Sequence, residues 1–208
     1  MRILGIVGSM RRDKYTNLLV NQVISEIREI EPSTFEIIQV SDLDVSPCRV
    51  VCSSFCAGHP YECSIKDDVA GVLQKIELAD ALVIGAPLYF RGPPTKFQAL
   101  IERIIALFFS LESAGTRGIE AGFKNKPCGL VGVAEYTNPL QVLEYLHDFA
   151  NLLGMKTVKV PRLPYLGVGG QGDVRSDKIF NPFERSKELA EALVREFKTS
   201  QTAPESEL

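Results

Sequence analysis

The chain has 208 residues, of which 45% are hydrophobic and 24% charged, and its formal net charge is −3 at pH 7. This length and balance predict a single soluble globular domain with a substantial core, in which disorder is expected only at the end of the chain. The small net charge provides no strong field for a polyanion, so we expect no nucleic-acid partner.

The N-terminus leads directly into an apolar run, and no apolar run reaches the length of a membrane-spanning helix. We therefore expect no leader peptide, no membrane partner and a cytoplasmic location.

The first predicted strand covers residues 3–7, and a polar loop separates it from a helix predicted at 17–31. The loop reads Gly8-Ser9-Met10-Arg11-Arg12-Asp13-Lys14-Tyr15-Thr16-Asn17. Its hydroxyl and amide donors, its basic side chains and the free N–H groups of the helix start favour binding of a phosphate. The alternative is an ordinary turn in which a serine or threonine caps the helix.

Apolar runs of strand length alternate with amphipathic patterns along the rest of the chain. Further strands are predicted at residues 35–40, 81–86, 128–134 and 156–160. Further helices are predicted at 67–77, 95–108, 139–153 and 181–198. Residues 166–172 are rich in glycine and are predicted to form a flexible loop, and the tail at 199–208 is predicted to be disordered.

This alternation predicts an α/β protein with a doubly wound, five-stranded parallel sheet in the flavodoxin-like order 2-1-3-4-5. The domain is expected to span residues 1–198, with a cysteine-containing insertion after strand 2 at about 42–65. In this strand order, ligands bind at the carboxyl ends of strands 1 and 3. The first loop and a proline-rich loop at 87–94 are therefore expected to meet in one crevice.

The proline-rich loop offers a surface for a flat ring. Its prolines fix the backbone, and Leu88, Tyr89 and Phe90 supply apolar area. A phosphate in the first loop would place an attached amphipathic ring, such as isoalloxazine, against this surface. Simple packing of the aromatic side chains at the core edge is the alternative.

Four of the five cysteines lie close together in the insertion, namely Cys48, Cys52, Cys56 and Cys63. Clustered thiols in a reducing compartment favour a metal or iron-sulfur centre over disulfides. Three readings stay open: an iron-sulfur cluster, a four-thiolate zinc site, and disulfides or free thiols. Cys128 is expected to be a small buried side chain, and His147 is expected to be structural.

The first loop resembles the FMN-phosphate loop of the NADPH-dependent FMN reductase superfamily. The stretch Gly85-Ala86-Pro87-Leu88-Tyr89-Phe90, with Lys96-Phe97 and Glu102-Arg103 after it, is similar to that superfamily's second flavin loop and the helix that follows. Four close cysteines before Ile65-Lys66-Asp67-Asp68 resemble those of the iron-sulfur flavoproteins.

This resemblance implies an FMN-dependent oxidoreductase that forms a homo-oligomer and carries FMN and a 4Fe-4S cluster, with Cys48, Cys52, Cys56 and Cys63 as ligands. Ferredoxin or NAD(P)H would be the electron donor. The flavin itself would carry out the chemistry, so no catalytic side chain is predicted. The implied FMN-binding residues are Ser9, Arg11, Tyr15, Thr16 and Asn17 in the first loop, and Pro87, Leu88, Tyr89, Phe90, Arg91 and Gly92 in the second.

In the resembling family the first cysteines are usually separated by two residues, whereas three residues separate Cys48, Cys52 and Cys56 here. Glu135 and Tyr136 stand where a glycine-rich third flavin loop is expected, which makes them weaker candidates for ring contacts. A cluster-free NAD(P)H-dependent FMN or quinone reductase, an FMN-binding electron carrier without enzyme activity, and a zinc-stabilised binding module are the alternative functions.

Overall fold

A computed structural model describes residues 1–49, 63–113 and 123–202 of the chain. The strands are β1 (Arg2–Val7), β2 (Thr34–Gln39), β3 (Ala81–Pro87), β4 (Pro127–Ala134), β5 (Lys156–Thr157) and β6 (Val168–Gln171). The helices are α1 (Tyr15–Ile30), α2 (Val69–Leu78), α3 (Thr95–Ser113), α4 (Leu140–Leu152) and α5 (Pro182–Thr202), with a short 3-10 turn at Val40–Asp42.

All strand pairs are parallel, and the sheet has the order β2-β1-β3-β4-β5. The predicted flavodoxin-like fold is thereby confirmed. Every residue of β3 and β4 is buried, as expected for central strands covered by helices on both faces.

Two apolar clusters, one on each face of the sheet, form the core. On one face Leu4 and Ile6 of β1 pack with α2, α3 and α4. On the other face Ile3 and Val7 pack with α1 and α5. Alternate residues of β1 thus point to opposite faces, which is the two-residue period of a strand. The parallel pairing of β1 with β3 places the carboxyl ends of these two strands side by side.

The prediction of a flexible glycine-rich loop at 166–172 is wrong in part, because residues 168–171 form β6. This strand pairs with the second half of β4, whereas β5 pairs only with its beginning. The fifth strand position is therefore divided between two short strands, and β5 is shorter than predicted. A Cβ atom on Gly170 would lie 2.6 Å from Val174, so this glycine provides room for close packing rather than flexibility.

At the C-terminus, α5 continues to Thr202, so residues 199–202 are helical where a disordered tail was predicted. The remainder of that tail, at 203–208, lies outside the described residues, as do Cys52 and Cys56. No helix within the described ranges is both long enough and apolar enough to cross a membrane.

Candidate functional site

A cavity of about 880 Å³ lies at the carboxyl ends of β1 and β3. Nine of the predicted FMN-binding residues line it: Ser9, Arg11, Tyr15, Thr16, Pro87, Leu88, Tyr89, Phe90 and Arg91. The two loops that were predicted to meet therefore do meet, at the point where the strand order of the sheet reverses. Asn17 and Gly92 are not among the residues that line the cavity.

The first loop is held in shape by its own polar groups. Ser9 is 3% exposed, and its hydroxyl donates to the carbonyl oxygen of Arg11 and accepts from the Arg11 N–H, both at 3.1 Å. The next helix, α1, begins at Tyr15, and the side chain of the capping residue, Lys14, makes no hydrogen bond to the helix end. The first N–H groups of α1 are consequently left for a ligand.

Asn17 is linked to this loop through a chain of hydrogen bonds. Its side-chain amide donates to Oε1 of Gln39 at 3.2 Å, and the Gln39 amide donates to the carbonyl oxygen of Ser9. This chain of hydrogen bonds ties α1 and β2 to the loop. Asn17 therefore stabilises the conformation of the loop through Gln39. Direct contact between Asn17 and a cofactor stays a prediction.

The structure gives a packing reason for a glycine at position 8. A Cβ atom at this position would collide with the ring of Phe97 in α3. The Gly8 N–H donates to the carbonyl oxygen of Gly85 at 2.7 Å. Gly8 thus permits close contact between the start of the first loop, α3 and β3.

Three cationic side chains, those of Arg11, Lys14 and Arg91, line the cavity, and none of them has an ion-pair partner among the described residues. The neighbouring Arg12 is instead paired with Asp42. The free cations give this end of the sheet a local positive charge although the whole chain is slightly negative.

The two acidic side chains that line the cavity are each engaged by a tyrosine. Tyr15 donates a hydrogen bond to Asp173, which raises the pKa of the tyrosine. The N–H of Arg175 and then the Tyr15 hydroxyl lower the pKa of Asp173. A hydrogen bond with Glu135 likewise raises the pKa of Tyr136. Both tyrosines therefore stay protonated at neutral pH.

The second loop folds into a very tight turn. Tyr89 and Gly92 exchange two backbone hydrogen bonds, of 2.7 and 3.0 Å, around Phe90 and Arg91. These two central residues have φ angles of 46° and 76°, values that glycine or asparagine adopts most easily. The strained backbone points to a functional constraint at this turn, and Phe90 at its tip is fully exposed.

The cavity also has walls that lie outside the two predicted loops. The end of β4 and the start of α4 contribute Val133, Glu135, Tyr136, Thr137 and Gln141, and the segment after β6 contributes Gly172 and Asp173. Glu135 and Tyr136 were considered from the sequence. The segment after β6 was missed because β6 itself was not recognised as a strand ending at this edge of the sheet.

Only two of the four clustered cysteines fall within the described residues. Cys48 is half-buried, Cys63 is buried, and both are free thiols. Across the described ranges there is no group of three or more side chains that could hold a metal ion. The predicted four-cysteine centre is thus represented here by its first and last members.

The two other residues singled out from the sequence have simple surroundings. Cys128 is fully buried in β4, and burial raises the pKa of its thiol to about 12. Both ring nitrogens of His147 are hydrogen-bonded, to Thr157 at 2.7 Å and to Asn151 at 2.9 Å. His147 therefore joins α4 to β5, as the structural interpretation predicts.

The fold and the position of the cavity define a flavodoxin-like α/β protein with a cavity lined by cationic side chains at its switch point. Residues 1–164 match the model of the family "NADPH-dependent FMN reductase". The chain is 30% identical over 188 residues to an iron-sulfur flavoprotein of Methanocaldococcus jannaschii, covering 86% of this chain and 89% of the relative. It is 26% identical over 160 residues to the iron-sulfur flavoprotein of Methanosarcina thermophila, covering 76% and 77%.

Among solved structures, the fold is similar to that of RosB, crystallised with 8-demethyl-8-formylriboflavin-5′-phosphate. The TM-score is 0.71 at 15% identity, over 98% of this chain and 81% of the other. This protein belongs to the iron-sulfur flavoprotein family within the NADPH-dependent FMN reductase superfamily. It is accordingly an FMN-dependent oxidoreductase.

Proposed function

We propose that this protein transfers electrons between a carrier such as ferredoxin and an acceptor, using FMN in the cavity and a 4Fe-4S cluster bound by the clustered cysteines. The observation that supports the flavin site most strongly is the meeting of the first loop and the Phe90 turn around one cavity with three free cations. Bound FMN would supply the redox chemistry, and the chain would bind it and orient it.

The phosphate of FMN fits the first loop. A dianion there would meet the free N–H groups at the start of α1 and the positive charges of Arg11 and Lys14, while Thr16 offers a hydroxyl. Ser9 acts through the backbone, because its hydroxyl is already engaged with Arg11. We assign Ser9 and Asn17 to shaping the loop, and the other residues to direct contact.

The isoalloxazine ring fits the opposite side of the cavity. Pro87, Leu88 and Tyr89 provide apolar surface there, and Val133 extends it from β4. The volume of about 880 Å³ is in the range of cofactor pockets. Gly92 closes the base of the turn by its hydrogen bonds with Tyr89 and contributes to the site by holding Phe90 and Arg91 in place.

The cluster is supported by the names of the relatives and by the four grouped cysteines. Thiolates are the usual ligands of iron-sulfur clusters, which exchange single electrons. A cluster would therefore suit a one-electron carrier as donor. A second subunit would complete the assembly, since we expect the family's homo-oligomeric state here.

The test is anaerobic purification followed by a visible spectrum and assays of flavin, iron and acid-labile sulfide. We expect a flavin spectrum with added broad absorption, and four iron atoms per FMN if the cluster is of the 4Fe-4S type. A colourless protein that does not take up FMN contradicts the whole proposal. A yellow protein without iron contradicts only the cluster.

Cysteine substitutions test the ligands. Cys52→Ala should remove iron and leave FMN bound, because the residues that line the cavity come from other parts of the chain and do not include Cys48 or Cys63, the two described cysteines of the group. The matched control is Cys128→Ala, which alters a buried thiol in β4 and should keep the iron. Iron at the wild-type level in Cys52→Ala would show that Cys52 is not a required ligand.

The family match favours a second candidate, a cluster-independent NAD(P)H-dependent flavin reductase. Here a hydride from the nicotinamide would reduce the flavin directly. The two candidates differ in the donor that bleaches the flavin absorbance in a stopped-flow experiment. Rapid bleaching by reduced ferredoxin supports the first, and rapid bleaching by NADPH alone supports the second.

A further inference from the structure

A buried ion pair lies between the two ends of the cysteine segment, which we define as residues 48–63. Arg103 of α3 is 1% exposed and Asp67 has a side chain 2% exposed. The contact is bidentate: Nη1 of Arg103 donates to Oδ2 of Asp67 at 2.7 Å, and Nη2 donates to Oδ1 at 3.0 Å. This is the strongest geometry that the two groups can adopt.

The same ion pair holds the backbone before the cysteine segment. Arg103 Nη1 also donates to the carbonyl oxygen of Ser46 at 2.9 Å, and the Ser46 N–H donates to Asp67 at 3.1 Å. Two residues earlier, the Asp44 N–H donates to the Asp68 carboxylate at 2.6 Å, and the Asp44 carbonyl oxygen accepts from the Asp68 N–H at 3.1 Å. The chain before Cys48 is thereby fixed against the chain after Cys63.

One N–H donor of the Arg103 guanidinium is not used in these hydrogen bonds. Its Nε has no hydrogen-bond partner among the described residues although the side chain is buried. A buried donor without a partner lowers the stability of the fold, so an acceptor near this N–H would be stabilising. Burial opposes the charge on Arg103, but Asp67, followed by the nearby Cys63 and Cys48, holds the pKa of the guanidinium above its usual value.

Asp67 itself is not free to bind a metal. Its carboxylate oxygens accept from Arg103, from the Ser46 N–H and from the Val69 N–H. Burial alone would raise the pKa of Asp67, but these hydrogen bonds outweigh it and lower the pKa. The carboxylate of Asp67 is therefore engaged with Arg103 and with backbone N–H groups. Among the described residues, the thiols of Cys48 and Cys63 act electrostatically on Arg103 and are potential metal ligands.

We propose that Arg103 is the counter-cation and positioning residue of a thiolate metal centre that takes Cys48 and Cys63 as ligands. This inference rests on the proposed cluster. A centre bound by several thiolates carries negative charge, and a buried cation with a free N–H donor stabilises such charge at sulfur. Asp67 keeps the guanidinium oriented, as outer groups do around many metal sites.

The test compares wild-type protein with Arg103→Met, Arg103→Lys and the charge-neutral double variant Asp67→Asn/Arg103→Met. Asparagine keeps an acceptor for the Ser46 N–H, so the double variant remains folded if the single variant does not. Arg185→Met is the matched control, because Arg185 is also buried, at 6% exposure, and paired with a glutamate, but lies in α5.

Metal-free protein is titrated with Co²⁺ under anaerobic conditions, and thiolate-to-cobalt absorption is recorded. We expect affinity to fall roughly 10- to 100-fold in Arg103→Met and in the double variant, to fall less in Arg103→Lys, and to stay unchanged in Arg185→Met. In protein loaded with iron and sulfide, Arg103→Met should shift the reduction potential of the centre to more negative values. A purely structural role would not produce that shift.

Wild-type Co²⁺ affinity in the double variant would overturn the inference and leave the proposed cluster standing. Absence of thiolate-to-cobalt absorption and of iron in wild-type protein would overturn both the cluster and the inference. The FMN content of each variant is measured in parallel, so that a failure of the flavin site is recognised separately.

Discussion

The positive charges that line the cavity and the positive charge of Arg103 differ in whether they have a partner. At the cavity, Arg11, Lys14 and Arg91 line open space without ion-pair partners among the described residues. Next to Ser46, before the cysteine segment, Arg103 is almost completely buried and forms a bidentate pair with Asp67. An accessible cation without a partner is available to a ligand, whereas a buried paired cation fixes its surroundings.

This difference predicts that substitutions at the cavity will affect FMN binding, whereas substitution of Arg103 will affect the stability of the fold. Removing a cavity cation should weaken FMN binding and leave the fold intact, because that side chain has no ion-pair partner among the described residues. Removing Arg103 should destabilise the fold, because it leaves a carboxylate buried without its partner. The predictions below are ordered from the largest expected effect to the smallest.

Arg103→Met should lower the free energy of unfolding by about 3–5 kcal/mol, since the Asp67 carboxylate is left buried and unpaired. Urea denaturation of the metal-free protein measures this. Asp67→Asn/Arg103→Met should lose much less free energy of unfolding, because it leaves no buried charge without a partner. Equal losses in the single and double variants would show that packing, and not the stranded charge, determines the effect.

The same pair has a defined pH dependence. The pKa of Asp67 is lower in the folded protein than its ordinary value of 3.8, so the pair contributes its full stabilisation above about pH 4. That contribution is lost as the pH falls through the folded-state pKa. The stability of the double variant should therefore change less between pH 5 and pH 3 than that of the wild type, as measured by urea denaturation at each pH.

Arg11→Gln should weaken FMN binding by roughly 10- to 100-fold, the range expected for loss of one charge-assisted hydrogen bond to phosphate. Fluorescence titration of the apoprotein with FMN measures the dissociation constant. Arg12→Gln is a suitable control, because Arg12 is adjacent in sequence but pairs with Asp42 and does not line the cavity. Similar losses in both variants would contradict the separation of the two roles.

The turn at Phe90 and Arg91 should be stabilised by residues that prefer positive φ. Phe90→Asn/Arg91→Gly should raise the free energy of unfolding by about 1–2 kcal/mol and weaken FMN binding, because the side chains that line the cavity are removed. Arg91→Gly alone should give part of the gain. Unchanged stability would show that the backbone at this turn carries no strain.

Lys126 carries a third kind of positive charge, one that is buried and bonded to carbonyl oxygens, and near neutral pH its expected effect is the smallest. Its Nζ donates to the carbonyl oxygens of Ile76 and Glu77, the latter at 2.7 Å, at the end of α2. Burial lowers the pKa of Lys126 to about 8, from 10.5. Between these two pH values the unfolded chain binds the proton and the folded chain does not.

The free energy of unfolding of the wild type should therefore rise with pH between 8 and 10.5 relative to that of Lys126→Met. Below pH 8 both states of the wild type are protonated, so the difference between the proteins should be constant. Denaturation of both proteins in a series of buffers measures it. A difference that falls over this range would contradict the lowered pKa.

The sequence predicted the central features of the fold because their signals are local. Runs such as 81–86 are apolar throughout, and the helices have regular spacing of apolar residues, so the order of strands and the crevice followed from general rules. The strand β6 could not be predicted in this way. Its pairing with β4 brings Gly169 against Pro139 and Pro164, and Gly170 against Leu19 of α1, which are contacts between distant parts of the sequence.

The sequence predicted the parts of the candidate site that lie in loops directly after strands. It did not predict the conformation of the second loop or the role of residues elsewhere in the chain. The Phe90 turn has no glycine or asparagine in its central positions, so its conformation was not indicated. Arg103 did leave a signal, since it lies between Leu100 and Ile104 on a helix face that is otherwise apolar. A charged residue in such a position is buried only when a partner is available.

The divided fifth strand also has a consequence for solubility. An edge strand with a long row of free backbone groups is a template on which another chain can add a strand. Here the edge beside β4 consists of Lys156–Thr157 and Val168–Gln171, two short pieces separated by ten residues. Neither piece offers enough consecutive backbone for stable pairing with a foreign strand, so this side of the sheet resists edge-to-edge aggregation.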